Sequence, residues 1–191
     1  EMPENLSHRP RMLLLYIVLA VVLAGGARFY TWSFYTAHDV FKRLKIPHVL
    51  KPALGGLLTG AVGFFFLPAI GAGYGAIQEA LRYESHFAPG AARTAFLLLA
   101  GVFLLKTLAT SFSVGSGGSG GIFGPAIVVG GALGGAAGIV FSAMLPSWNV
   151  PVGAFTLVGM VAFFGCAAKT PISTILMVGE MTGNYRLLVP S

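Results

Sequence analysis

From Thr107 to Ala168, about sixty residues, this chain contains no Asp, Glu, Lys, Arg or His. A second charge-free stretch runs from Pro52 to Gln78. Roughly 20 apolar residues suffice for one bilayer crossing, and a water-soluble fold of this size has no way to hide such runs. Composition agrees: of 191 residues, 55% are hydrophobic and 9% charged, whereas soluble domains carry about a quarter charged residues. The mean hydropathy is +0.81. The chain reads as an all-α integral membrane protein, with the lipid bilayer as its first partner.

The few charges sort by position. The net charge of +6 forms no single basic stripe, so a nucleic-acid partner is not expected. Lys42, Arg43, Lys45 and Lys51 gather between two apolar segments, as the positive-inside rule expects of a cytoplasmic turn. Arg9, Arg11, Arg93, Lys169 and Arg186 fall near expected helix ends. Lys106 is expected near the end of its helix, with its ammonium snorkelling to the interface. Arg28, inside an apolar stretch, has no evident partner. The single Cys166 implies neither a disulfide nor a metal cluster. His8, His38, His48 and His86 are scattered outside the apolar runs. No metal, no cofactor and no enzymatic activity are expected. The opening "EMPENLSHRPR" lacks a signal-peptide cleavage site, and "NYRLLVPS" stops as an apolar segment begins; both read as the ends of a fragment.

Proline and glycine divide the apolar sequence. Arg11 to about Leu44 is too long for an upright span and should tilt steeply. Within it, Tyr30, Trp32 and Tyr35 suit an interfacial belt and equally a packed face. Pro47 and Pro52 interrupt the chain. A helix then covers about Ala53 to Leu67. "AIGAGYGAIQEALRYES", with Ile77 and Leu81 on one side, suits a re-entrant or surface element. Further helices are expected over about Ala91 to Ser111, Phe123 to Leu145, Val152 to Ala168 and Thr170 to Thr182. Short, Gly/Pro-interrupted apolar segments mark transporter folds whose broken helices meet near the midplane. Along the Phe123 helix, Ala126, Gly130, Gly134, Gly138 and Ser142 recur every fourth residue, flanked by Gly131 and Gly135. Such a stripe lets a neighbouring helix approach backbone to backbone.

"GSGGSGGIFGP", residues 115–125, carries the candidate chemistry. Gly115, Gly117 and Gly120 match G-x-G-x-x-G, but a dinucleotide site needs a preceding strand, and the residues before it are helical in pattern. No Lys-Ser/Thr follows, which excludes a Walker A loop. A free linker would not lie between two membrane segments. A pure packing loop stays open. The reading that uses every residue is an anion site: consecutive glycines let backbone N–H groups converge, and Pro125 suits the first turn of a helix. The N–H groups of Ile122 and Phe123 then point at the ligand from a helix N-terminus. Partial charges hold an anion weakly enough to release it.

"GGIFGP" (Gly120 to Pro125) resembles the GxFxP signature of the CLC family of chloride channels and proton-coupled chloride antiporters. "GEMTGNYRLLVP" (Gly179 to Pro190) resembles that family's second hallmark, and the long first helix and the "KTPIS" turn agree. The resemblance implies a CLC-like inverted-repeat fold, of which residues 1–191 are the second, C-terminal half, cut short before its final helix. It implies chloride as the transported ligand, held by Gly120, Gly121, Ile122, Phe123, Gly124 and Pro125. The family's Ser-bearing loop, its gating Glu and its final-helix Tyr have no counterpart here, and because its gating and proton-transfer glutamates lie outside this chain, channel and antiporter are not separated. The isolated chain is therefore expected not to conduct. The resemblance also implies a homodimer through helices near residues 170–190, with Ile172, Ile175, Leu176 and Leu187 as the apolar surface, and a bacterial plasma (inner) membrane. Glu180, alone among apolar neighbours, is expected to make a buried structural hydrogen bond rather than carry protons. The competing readings are a non-transporting membrane scaffold or degenerate repeat, and a broken-helix transporter of another solute.

Overall fold

The first helix sets the scale of the molecule. In a computed structural model, which describes residues 10–71, 73, 75, 77, 78, 91–170, 172, 173, 176 and 180, α1 runs unbroken over Pro10–Arg43, 34 residues. At 1.5 Å per residue this is about 51 Å, against about 30 Å of bilayer hydrocarbon, so α1 must cross obliquely or project. Its last turn holds Lys42 and Arg43, and the Lys51 ammonium donates to Lys42 O at 3.4 Å. Cations at a helix C-terminus complement its dipole, so the basic junction also closes the helix.

Next, α2 covers Leu50–Phe65, beginning three residues before the expected start. Pro52 is accommodated because its missing donor lies in the first turn, where no intrahelical bond is lost. The helix stops at Phe66 (φ −144°, ψ 86°), and Leu67–Ala69 form a 3₁₀ turn. Gly71 and Gly73 then take left-handed φ of +74° and +71°. Beyond them Ile77 is helical and 2% exposed, in one core with Leu99, Val128 and Met160. Of this segment's described residues Ile77 packs into the bundle while Gly75 and Gln78 are exposed, and Leu81 lies outside the described residues.

Helix α3, Ala91–Gly115, extends one turn past the expected Ser111. After a loop, α4 covers Phe123–Met144 and α5 covers Val152–Ala168, joined by a 3₁₀ turn at Pro146–Trp148. Asn149 and Lys169 take left-handed φ of 46° and 57° at the two breaks. The spans Met12–Arg43, Ala92–Gly115 and Phe123–Met144 are long and apolar enough to cross a membrane, and α2 and α5 are shorter apolar helices. The helix expected over Thr170 to Thr182 and the hallmark after it lie mostly outside the described residues. Of them, Ile172, Ser173, Leu176 and Glu180 are helical.

At the centre α4 packs against α5 along its small-residue stripe. A Cβ on Gly130 would stand 2.6 Å from Gly159 O, and one on Gly159 would stand 2.5 Å from Gly130 O. A Cβ on Gly134 would collide with Phe155 O, and one on Gly138 would meet Val152 Cα at 3.2 Å. The backbones touch, as the fourfold spacing led one to expect. Phe155 and Phe163, both fully buried, project from α5 beside this seam. Phe163 makes edge contacts with Tyr30 of α1 and Phe103 of α3, at 5.7 and 6.5 Å between ring centroids. Four helices thus meet at one aromatic side chain.

Two polar expectations change. Lys106 does not snorkel: it lies well inside α3, is 2% exposed, and donates to Gly71 O at 2.7 Å and Ala69 O at 3.4 Å. The carbonyls freed where the chain breaks after α2 draw the ammonium inward. Glu180 is exposed on this chain rather than buried in a hydrogen bond. Arg28 and Cys166 are also exposed.

The seam yields a direct test. Gly134→Ala forces a methyl group into Phe155 O and should destabilise the fold by about 1–3 kcal/mol, the usual range for overpacking. Gly25 has no heavy atom within 4 Å of its Cβ position, so Gly25→Ala should be neutral or slightly stabilising. Thermal unfolding of the two variants in detergent, followed by the monodisperse fraction, checks this order.

Candidate functional site

The loop between α3 and α4 is built from its α3 end. There the Ser116 N–H donates to Phe112 O at 3.3 Å, the Gly117 N–H to Val114 O at 3.0 Å, and the Ser116 hydroxyl to Ser113 O at 2.9 Å. Gly117 then adopts φ +92°, the left-handed turn with which many helices end. A Cβ on Gly118 would stand 2.5 Å from Ser113 O, so the chain also doubles back tightly there. The loop's conformational demand for glycine therefore falls on Gly117. Gly120 and Gly121 take no positive φ.

The consequence is open space. No atom lies within 4 Å of a Cβ built on Gly121 or Gly124, and one on Gly120 would meet only Val114 Cγ2, at 3.3 Å. Gly120 and Gly121 are exposed, Ile122 is 40% and Phe123 36% exposed, and Gly124 and Pro125 are half-buried. The six candidate residues thus form one continuous lip at the start of α4, with open space beside Gly121 and Gly124.

Beside this open space α4 presents an uncapped N-terminus. Ile122 is the N-cap (φ −84°, ψ −23°); no side chain caps the helix, and its first turn has no acidic residue. The first bond of the helix is Ala126 N–H to Ile122 O, 3.1 Å. The N–H groups of Ile122, Phe123 and Gly124 have no intrahelical acceptor, and Pro125 contributes no N–H. Three neutral donors at the positive end of a 22-residue helix can accommodate a small anion without any charged side chain in contact. Among the described residues no group of three His, Cys, Asp or Glu could hold a metal.

Two side chains that sequence reasoning did not assign to the site hold this lip in place. The Tyr30 hydroxyl, from a residue 3% exposed on α1, donates to Ile122 O at 3.3 Å. That carbonyl therefore accepts from Tyr30 and from Ala126 together, which orients the peptide leading into α4. Phe123 packs edge-on against Phe164 of α5, with ring centroids 4.6 Å apart. Trp32 and Tyr35, alike in sequence to Tyr30, are exposed at 62% and 61%. A buried Tyr in an apolar helix must place its hydroxyl somewhere. That was the available signal, but its partner lies 92 residues away.

Comparison with known proteins identifies the family. The family model described as "Voltage gated chloride channel" matches residues 1–191. A protein named H(+)/Cl(-) exchange transporter ClcA from Cronobacter sakazakii is 32% identical over 182 residues, covering 93% of this chain and 37% of that protein. Proteins of the same name from Yersinia pestis bv. Antiqua and Klebsiella pneumoniae are 31% and 30% identical, each over 97% of this chain and 38% and 39% of their own length. The chain spans less than two-fifths of the length of these relatives. With a match over its whole length and an all-helical membrane architecture, the chain belongs to the voltage-gated chloride channel family.

Proposed function

We propose that the protein containing this chain carries chloride across a membrane, as a channel or a proton-coupled antiporter, and that Gly120 to Pro125 form part of its anion path. The observation that carries this reading is the uncapped N-terminus of α4, open beside Gly121 and Gly124. Its donors are backbone dipoles, suited to an anion that must leave as readily as it enters. The relatives' printed name, an H(+)/Cl(-) exchange transporter, points the same way. In this reading the chain is the C-terminal inverted repeat of the transport domain, working by transport rather than catalysis, and sits in a bacterial plasma membrane.

The test is anion flux through liposomes containing the full-length protein. Gly121→Val should fold normally, because its φ is ordinary and the space around it is empty. Its side chain would then stand beside the open N–H groups and should lower chloride flux by at least about tenfold, the scale on which a few oriented donors act. Ile122→Ala keeps its N–H and should stay near wild type. Tyr30→Phe removes one hydrogen bond and should cost about 1 kcal/mol of stability, with a smaller loss of flux. Normal flux in well-folded Gly121→Val would remove the anion path from this loop. Cation-selective or absent flux in the wild type would favour a scaffold or another solute.

Assembly belongs to the same proposal. Ile172 and Leu176 are 75% and 55% exposed on helical residues one turn apart, an apolar pair available to a second copy through packing rather than hydrophobic contrast. The side chains of Ile175 and Leu187 lie outside the described residues. A homodimer through this region should be trapped by oxidative cross-linking of Ile172→Cys in a Cys166→Ser background. Persistent monomer after oxidation would count against it.

A further inference from the structure

Lys106 places a positive charge inside the bundle that packing does not explain. Its side chain is 2% exposed, and among the described residues its acceptors are two backbone carbonyls, Gly71 O and Ala69 O. Neither neutralises it, and no described carboxylate pairs with it. The other buried lysine, Lys51, lies at the basic junction beyond α1. A charge at membrane depth is costly and calls for a function. Satisfying two carbonyls needs only a neutral donor, so the charge itself is in excess of the structural requirement. The hydroxyls beside it do not compete: Thr107 donates to Phe103 O at 2.6 Å and Ser111 to Thr107 O at 2.8 Å, both within α3.

Its position relative to the candidate site follows from Gly73. The Cβ position of that glycine lies 3.1 Å from Lys106 Nζ and 2.9 Å from Val128 Cγ1. Ammonium and Val128 therefore face each other across little more than the width of a methyl group. Val128 lies five residues into α4 from Phe123, about 7.5 Å along the helix axis. The charge thus sits beside the first turns of the helix whose N-terminus is open, on a side chain that is itself 2% exposed and faces the buried Val128.

We infer that Lys106 is an affinity-determining residue for the anion: its fixed charge, anchored by Gly71 O and Ala69 O, strengthens the field of the α4 N-terminus without touching the ion. This rests on the chloride reading above. It divides the labour at the site, with backbone N–H groups supplying close contact and Lys106 a distant, permanent attraction. The left-handed turns at Gly71 and Gly73 aim the carbonyls and leave room for the ammonium, so the irregular segment after α2 serves as its mount.

The experiment uses the full-length protein and measures chloride affinity by isothermal titration in detergent, together with the chloride dependence of flux in liposomes. At an effective dielectric of about 20, a unit charge acting over a separation on the order of 10 Å changes an anion's dissociation constant about tenfold. Lys106→Gln, which keeps donors and loses the charge, should weaken chloride binding by about that factor. Lys106→Arg should stay within about threefold of wild type. Nε-acetyl-lysine introduced at 106 retains the aliphatic stem and one N–H, and should behave like Lys106→Gln. Wild-type affinity in a folded neutral variant would overturn the inference while leaving the chloride reading standing. So would failure of both neutral variants to fold while Lys106→Arg folds, which would assign Lys106 to holding backbone alone. A wild type that binds no chloride would instead sink the transport reading itself.

Discussion

The backbone contact between α4 and α5 is the constraint on which the rest depends. In lipid, helices gain no hydrophobic advantage from associating, so close packing and polar bonds must supply the attraction. Gly130, Gly134 and Gly138 on one helix and Gly159 on the other remove every Cβ that would hold the axes apart. Phe155 and Phe163, set beside the seam, then reach outward to Tyr16, Tyr30 and Phe103 on the surrounding helices. The pair acts as the post against which α1 and α3 lean.

A rigid post allows α4 to begin abruptly. An N-terminus without a capping side chain would ordinarily fray, because its first N–H groups lack partners. Here the end is held from outside, by the Tyr30 hydroxyl on Ile122 O and by Phe164 against Phe123. Neither contact uses up an N–H. The donors stay available while the backbone bearing them is fixed, which is the preorganisation a weak and reversible anion site requires. A capping Ser or Asp would stabilise the helix as well, but it would occupy the donors.

Much of this was legible in the sequence, because the signals were local. Charge-free stretches announced membrane helices, and Pro and Gly marked their breaks, with α5 expected at the bounds observed. Spacing of four along residues 126–138 announced the seam, since periodicity in a helix is geometry. The uncapped start of α4 followed from "GIFGP" alone. The errors share a cause. Lys106 was expected to snorkel because its nearest polar surroundings in sequence are at the membrane surface. Its acceptors come from a segment 35 and 37 residues earlier that folds back at membrane depth. Nor was the left-handed turn at Gly117 singled out, because a run of glycines does not reveal which one turns.

By itself, then, the sequence determined the solvent, the helices and the identity of the packing face, all properties of residues close together in the chain. Which tyrosine would be buried, where a lysine would find its acceptors, and which glycines would border open space were decided only in the tertiary structure. Trp32 and Tyr35 point outward while Tyr30 points in, although all three sit in one apolar helix. The physical reason is that a hydroxyl or an ammonium in lipid takes whatever acceptor the fold brings to it. Those acceptors, Ile122 O for Tyr30 and Gly71 O for Lys106, come into existence only once distant helices have packed.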